Sequence, residues 1–493
     1  MVGIPPAIGY VSRPGRFGRR ATIASTIEFL HHLQLLFTRI AELICPKCER
    51  LVEKHNPQSI ADWVESLVAG NKLQVGFIAG QEDRHSLPEL QSAGFVRAIV
   101  GESTVPLSEL LSDSVQKSPL VIVDRFVAGK VDRQRLLDSL TTAFDFGSGA
   151  LVVLVESDRA ANSGAIRQVD GGSWIDRRFY RELVCPTCFQ RFAEPDLQRL
   201  SDSSPLGACP KCEGLGSVSE YDMAKIVPDD EVSIRDGAIA PWNSPNYVHE
   251  RDELLALAPA YKIPVDVPFK ELSKAARQLI WDGVPERKFG GLAGFFRWVE
   301  KKRYKMHMRI FAARWKSFHV CEQCHGRRWR EEALVYRVQG LHIADLTAMS
   351  LASVSSFLQS LLENADDSSV DGRAESRGME SKPISHSGKL IVRRLLEMTE
   401  ALNSLGLGNL ELNRPMRSLS GGEQQRLMIG RLLRSSLVNL VYVFDEPTTG
   451  LHPGDAEQIV QAIQSLRDRH NTVVVADHSP QMIALSERVV ELG

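Results

Sequence analysis

All eight cysteines of this 493-residue chain fall into Cys-x-x-Cys pairs: Cys45/Cys48, Cys185/Cys188, Cys209/Cys212 and Cys321/Cys324. Two thiols on one tight turn present their sulfurs to the same point. Two such turns supply the four ligands of a tetrahedral Zn²⁺ site. The fold must therefore bring distant pairs together. Cys185-Pro-Thr-Cys188 and Cys209-Pro-Lys-Cys212 are separated by 20 residues, and Gly214 and Gly216 follow as turn formers. The spacing predicts that these two pairs share one ion. Cys45-Pro-Lys-Cys48 is then left to join Cys321-Glu-Gln-Cys324 at a second ion; buried structural thiols are the alternative. A closed set of four thiolates has no open coordination position, so both sites are read as structural.

The residues around the cysteines favour metal over disulfides. The segment Met1-Val2-Gly3-Ile4-Pro5-Pro6 has no basic region followed by an apolar stretch, so no secretion signal is read. No run approaches the ~18 apolar residues of a membrane span. A cytoplasmic protein with no membrane partner is expected. Hydrophobic and charged fractions of 43% and 24% are those of a globular chain. With a net charge of −2, any nucleic-acid surface is local.

The most specific string is Leu419-Ser-Gly-Gly-Glu-Gln-Gln-Arg426. Ser420 and Glu423 form a capping box for a helix running to about Leu433. Its first-turn N–H groups, with Gly421 and Gly422, let a phosphate approach. A plain glycine-rich helix start is the bland alternative. Next, Leu440-Val-Tyr-Val-Phe-Asp-Glu446 reads as an apolar strand ending in two carboxylates, at the sheet edge where α/β proteins bind ligands. Asp445 suits organising Mg²⁺, and Glu446 suits polarising an attacking water. Thr448-Thr-Gly-Leu-His452 then turns into a helix with Ile459, Val460, Ile463 and Leu466 on one face. A second strand, Thr472 to Ala476, ends in Asp477-His478, and a histidine there can reach a γ-phosphate.

A basic stretch supplies the other candidate site. Arg297, Lys301, Lys302, Arg303, Lys305, Arg309, Arg314 and Lys316 are accompanied by one acidic residue, Glu300. Phe295, Phe296, Trp298, Tyr304, Phe311 and Trp315 are interleaved. Such a stretch can neutralise DNA phosphates and rest aromatics against bases or sugars. A solvated helix face with core aromatics is the competing reading. Arg327, Arg328 and Arg330 are weaker candidates.

In this order, the four elements from Leu419 to His478 resemble the signature loop, Walker B, D-loop and H-loop of an ABC ATPase. With the cysteine pairs, Pro6-Ala-Ile8, Thr22 to Arg39 and Ile234 to Trp242, the chain resembles the first ATPase half of the UvrA family. Those proteins are damage-recognition subunits of the bacterial excinuclease. The resemblance implies an α/β fold: an incomplete ABC-type ATPase core with zinc modules and α/β and mixed insert domains. Residues 1–50 would be a partial core segment, 51–184 a UvrB-binding-like insert, 185–219 a zinc module and 220–319 a DNA-facing insertion domain. Residues 320–418 would be a helical signature region with a mobile loop at 366–382, and 419–493 the ATPase motifs. It further implies damaged duplex DNA, a UvrB-like helicase and a second ATPase half or homodimer as partners, with ATP and Mg²⁺ in a complete site. Such sensing would read backbone shape more than sequence.

The sequence departs from that pattern in one decisive place. No Gly-x-x-x-x-Gly-Lys-[Ser/Thr] string occurs; Gly388-Lys389 is followed by Leu390 and lacks the earlier glycine. Ser12 also stands where the family usually has glutamine. A truncated or split form needing a partner chain is expected. A non-hydrolysing zinc scaffold or pseudo-ATPase is the rival, and an ABC-type resistance or translation factor fits the large inserts poorly.

Overall fold

The computed structural model describes residues 5–11, 17–79, 86–110, 119–156, 165–367, 384–433 and 438–491. Ser12 and nearly all of the Ser- and Asp-rich segment 366–382 lie outside them. The chain divides into two compact units, residues 1–201 with 331–493, and residues 202–330.

The first unit contains a seven-stranded sheet in the order Ser103–Pro106, Arg97–Val100, Leu120–Val127, Lys72–Ile78, Ala150–Glu156, Gly172–Tyr180, Ala165–Val169. Every pairing in it is antiparallel. Lys72–Ile78 and Ala150–Glu156 are near-continuous apolar runs because both their faces are covered. On one face, Leu73, Val75, Leu151 and Val153 pack with Leu136, Leu140 and Phe144 of the helix Arg133–Phe146. On the other, Val152 and Leu154 pack with Ile99, Leu120 and Trp174. Asp132 caps that helix by accepting the Arg135 N–H at 3.0 Å.

The same unit holds a parallel sheet of Ala7–Val11, Val441–Asp445 and Thr472–Ala476, with Val441–Asp445 in the middle. The helix Gly421–Leu433 precedes the central strand. The helix Pro453–Asp468 follows it and buries Ile459, Val460, Ile463 and Leu466, the face its periodicity predicts. Alternation leaves Tyr442 and Phe444 fully buried while Val443 and Val474 are 39% and 50% exposed. Glu28 adopts a left-handed conformation (φ 63°) ahead of the helix Phe29–Ile40, and Glu42–Ile44 is extended.

The second unit is mainly helical, with one antiparallel ribbon pairing Ser217–Tyr221 with Lys316–Val320. Its core gathers Trp242, Leu254, Ile280, Phe289, Phe295 and Phe296.

Candidate functional site

The cysteines form two tetrads, each with all four sulfurs within 4.8 Å of one another. Cys45, Cys48, Cys185 and Cys188 make one, Cys209, Cys212, Cys321 and Cys324 the other. This corrects the partnering read from spacing, which joined Cys185/Cys188 to Cys209/Cys212 across the shortest gap. The strand pairing explains the outcome. The ribbon register places Ser217 opposite Val320, and the Cys321 N–H donates to Gly216 O at 3.0 Å. The Cys209 N–H donates to Arg328 O at 2.8 Å. In the other unit the His55 N–H donates to Tyr180 O at 2.7 Å, so the chain leaves for the seven-stranded sheet and returns at one place. Each tetrad thus closes the base of one insert.

All four turns share a local geometry. The residue after the second cysteine is left-handed in each: Glu49 (φ 52°), Phe189 (φ 59°), Glu213 (φ 50°) and His325 (φ 48°). In the first tetrad the Cys45 N–H donates to Arg50 O and the Cys185 N–H to Gln190 O, both at 2.9 Å. Cys45 lies 3.6 Å from Cys188, Cys209 3.9 Å from Cys321 and Cys212 3.6 Å from Cys324, sulfur to sulfur.

Without a cation these thiols obstruct one another's ionisation. Hydrogen bonding to Cys188, with desolvation, pushes Cys48 up to about 12. Burial, with its contact to Cys212, pushes Cys324 up to about 12. Burial also raises Cys321, but N–H groups of Cys324 and Gln323 outweigh it and hold that thiol below its usual value. Four closely spaced sulfurs, some disposed to ionise and others held protonated by their neighbours, fit a Zn²⁺ ion that would neutralise their charge. Bound there, zinc supplies a cross-link between knuckles.

The ATPase-like residues converge at the carboxyl edge of the parallel sheet. Asp445 ends the central strand opposite Ala476, the Glu446 N–H donates to Ala476 O at 2.8 Å, and His478 follows two residues later. Asp445, Glu446 and His478 are all exposed, His478 with 81% of its side chain. The capping box forms as read: the Ser420 N–H donates to Glu423 Oε2 at 2.8 Å, and the Glu423 N–H to Ser420 Oγ at 3.3 Å. Gly422 passes close to Leu451, where a Cβ would come within 3.0 Å of Cδ2.

Three supporting residues escaped the sequence reading. Gln425 Nε2 donates to Glu446 O at 3.3 Å and to Pro447 O at 2.5 Å, tying the signature helix to the end of the central strand. Asp477 Oδ2 accepts from the Thr448 N–H at 3.1 Å and its hydroxyl at 2.7 Å, joining the turns after the two strands. Arg426 pairs with Asp455 at 2.7 Å. Gln425, Arg426 and Asp477 all sit inside recognised strings, but no spacing says which carbonyl, carboxylate or hydroxyl they meet.

The basic stretch forms two helices, Gly291–Lys301 and Met306–Arg314, joined by a short turn and followed by the ribbon strand. Arg297, Lys301, Arg303, Lys305, Arg309 and Arg314 are exposed, and Lys302 lies 4.0 Å over the Trp298 ring. Lys316 departs from the expected surface. Its ammonium is 2.6 Å from Glu300 and 4.5 Å from the Tyr221 ring centre, because it begins the strand paired with Tyr221. Phe295, Phe296 and Trp315 are core, whereas Trp298 and Tyr304 are exposed. Arg328 is buried, 3.9 Å from Asp202.

Two family matches fall on this framework. Residues 56–157 match the family described as UvrA interaction domain, and 222–309 match that described as UvrA DNA-binding domain. The first helix and residues 306–309 of the second lie inside the latter range. Both segments are similar to UvrA domains. It is 29% identical over its full length to UvrABC system protein A of Treponema pallidum, covering 52% of that protein, and 30% identical over its full length to that of Streptomyces coelicolor, covering 48%. It spans about half the length of the curated relatives it matches. A crystal structure of UvrA2 from Deinococcus radiodurans aligns over 60% of the chain and 38% of its own, with 28% identity and a TM-score of 0.42. No helix among the described residues is long and apolar enough to cross a membrane.

Proposed function

We propose that this chain is a DNA-binding, damage-recognising part of a nucleotide excision repair machine, acting in the cytoplasm. The observation that carries the reading is the cationic surface of the two helices from Gly291 to Arg314, of which the residues up to 309 are similar to the UvrA DNA-binding domain. Arg297, Lys301, Lys302, Lys305, Arg309 and Arg314 engage phosphates, and the protein reads shape and deformability. The seven-stranded insert docks a UvrB-like helicase, a role its similarity to the UvrA interaction domain supports. The two tetrads hold one structural Zn²⁺ each and fix both inserts to their bases.

In this reading the nucleotide chemistry is shared. Ser420, Gly421, Gly422 and Glu423 offer a helix start to the phosphates of an ATP held by a second ATPase half or another copy. Asp445, Glu446 and His478 form the Mg²⁺- and water-handling edge of a site whose phosphate loop comes from outside residues 1–493. With no Walker A string in those residues, ATP turnover by them alone is not expected.

The test is fluorescence anisotropy of the zinc-loaded chain with a lesion-bearing duplex. Binding should weaken steeply with salt, and combined Lys301→Glu, Lys305→Glu and Arg309→Glu should weaken it further while zinc content stays unchanged. Undetectable binding at low salt removes the proposal.

A further inference from the structure

The helix Met306–Arg314 carries apolar residues on both faces. Met308 and Ala312 are buried at 3% and 2%, anchoring it to the core. Met306 and Ile310, each offset by two positions from those anchors, point to the opposite side and are 67% and 66% exposed. Tyr304, in the turn just before, is 73% exposed. Globular surfaces scatter single apolar residues, but three large ones grouped at the tip of a helix pair mark a contact surface.

The tip is held firmly. The Lys302 N–H donates to Val299 O at 3.1 Å, Arg303 to Glu300 at 3.2 Å, Lys305 to Lys302 at 3.0 Å and Arg309 to Lys305 at 3.1 Å. Arg303 also pairs with Glu300 at 3.0 Å, and Arg309 Nε donates to Arg303 O at 3.4 Å. Its rim is cationic: Lys302 sits over Trp298, Lys305 lies 5.7 Å from the Tyr304 ring centre, and Lys301 and Arg309 are exposed beside them.

We propose that Tyr304, Met306 and Ile310 form a wedge that enters DNA where bases are already unstacked, so that this tip sets the preference for distorted over regular duplex. The inference rests on the DNA-binding reading and adds to it the residues that discriminate. A lysine and arginine rim selects a polyanion, and the apolar tip selects one whose flat base faces are accessible. Undistorted duplex satisfies only the rim. Apolar wedges between base steps cost unstacking energy, which is smallest where pairing is already lost. Aromatic–base stacking repays it. An acidic protein surface would satisfy the rim without needing an aromatic at the tip.

The experiment compares the full zinc-loaded chain on a fluorescein-labelled duplex, fully paired or carrying a mismatch bubble. The variants are Tyr304→Ser/Met306→Ser/Ile310→Ser and the conservative Tyr304→Phe/Met306→Leu/Ile310→Leu, with zinc content and melting temperature confirming folding. The wild type should prefer the bubble. The serine variant should lose about tenfold of that preference while keeping its affinity for paired duplex, and the conservative variant should retain it. An unchanged preference in the serine variant, equal loss on both duplexes, or no preference in the wild type overturns the wedge but leaves DNA binding standing. Absence of binding to either duplex overturns both readings. Self-association lost in the serine variant, with bubble preference intact, assigns the tip to a second copy instead.

Discussion

The sulfurs of Cys212 and Cys324 lie 3.6 Å apart although 112 residues separate them in the chain. The same closure brings Cys45 to Cys188 across 143 residues. The chain should therefore bind two zinc ions, and the two sites should be genetically separable. Cys212→Ser and Cys324→Ser, alone or together, should lose the same single ion. Cys212→Ser with Cys188→Ser should lose both. A chromogenic chelator assay after denaturation reads this directly. Loss of only one ion in the latter pair would restore the partnering suggested by sequence spacing.

Gly214 follows the Cys209/Cys212 pair at φ +80°, and a Cβ there would lie 1.7 Å from Asp202 O. No rotamer relieves a clash with backbone. Gly214→Ala should destabilise the 202–330 unit by more than ~1 kcal/mol. It should lower the melting temperature and weaken zinc retention, while Gly421→Ala, where a Cβ meets nothing within 4 Å, should leave both unchanged.

The Asp477 carboxylate is 1% exposed and accepts from Thr448 twice and from the Ser479 N–H at 2.9 Å. Asp477→Ala strands these donors. A cost of about 1–3 kcal/mol is expected in urea unfolding. Thr448→Val, which removes only the hydroxyl donor, should cost less. Equal stability of Asp477→Ala and wild type would show that this bond does not fasten the two turns.

Glu300 gives the second unit a pH dependence of defined sign. Burial pushes its carboxyl up, but hydrogen bonds from Lys316 and Tyr221 outweigh it and hold the folded-state value below the ordinary one. A lowered value contributes stability above the unfolded-state pKa of about 4.3, and this is lost as pH falls through the folded value. Melting of wild type against Glu300→Gln should show a stability gap near neutrality that narrows below about pH 4. A gap that widens on acidification contradicts this assignment.

Much of the candidate site was legible because local chemistry decides it. Ser420 and Glu423 predict their own capping box, and Val441–Asp445 reads as a strand from its apolar run and terminal carboxylates. Which cysteine pairs meet was not legible. Spacing reports sequence distance, whereas the ribbon register and the His55–Tyr180 bond set spatial distance. Lys316 misled for a similar reason: composition shows a charge, but only the pairing of its strand with Tyr221 shows that the charge turns inward. Tyr304 and Trp315 look alike in sequence and separate only once the helix faces are known.

We propose a division of labour, in which these residues hold the DNA and zinc sites while the phosphate loop is supplied from outside them. The most direct measurement is ATP turnover by the zinc-loaded chain in the presence of lesion-bearing duplex, beside the Glu446→Gln variant. Bound DNA with no turnover above that of the variant is the expected result. Turnover that Glu446→Gln abolishes would contradict it, and would mean that these residues build a phosphate site of their own.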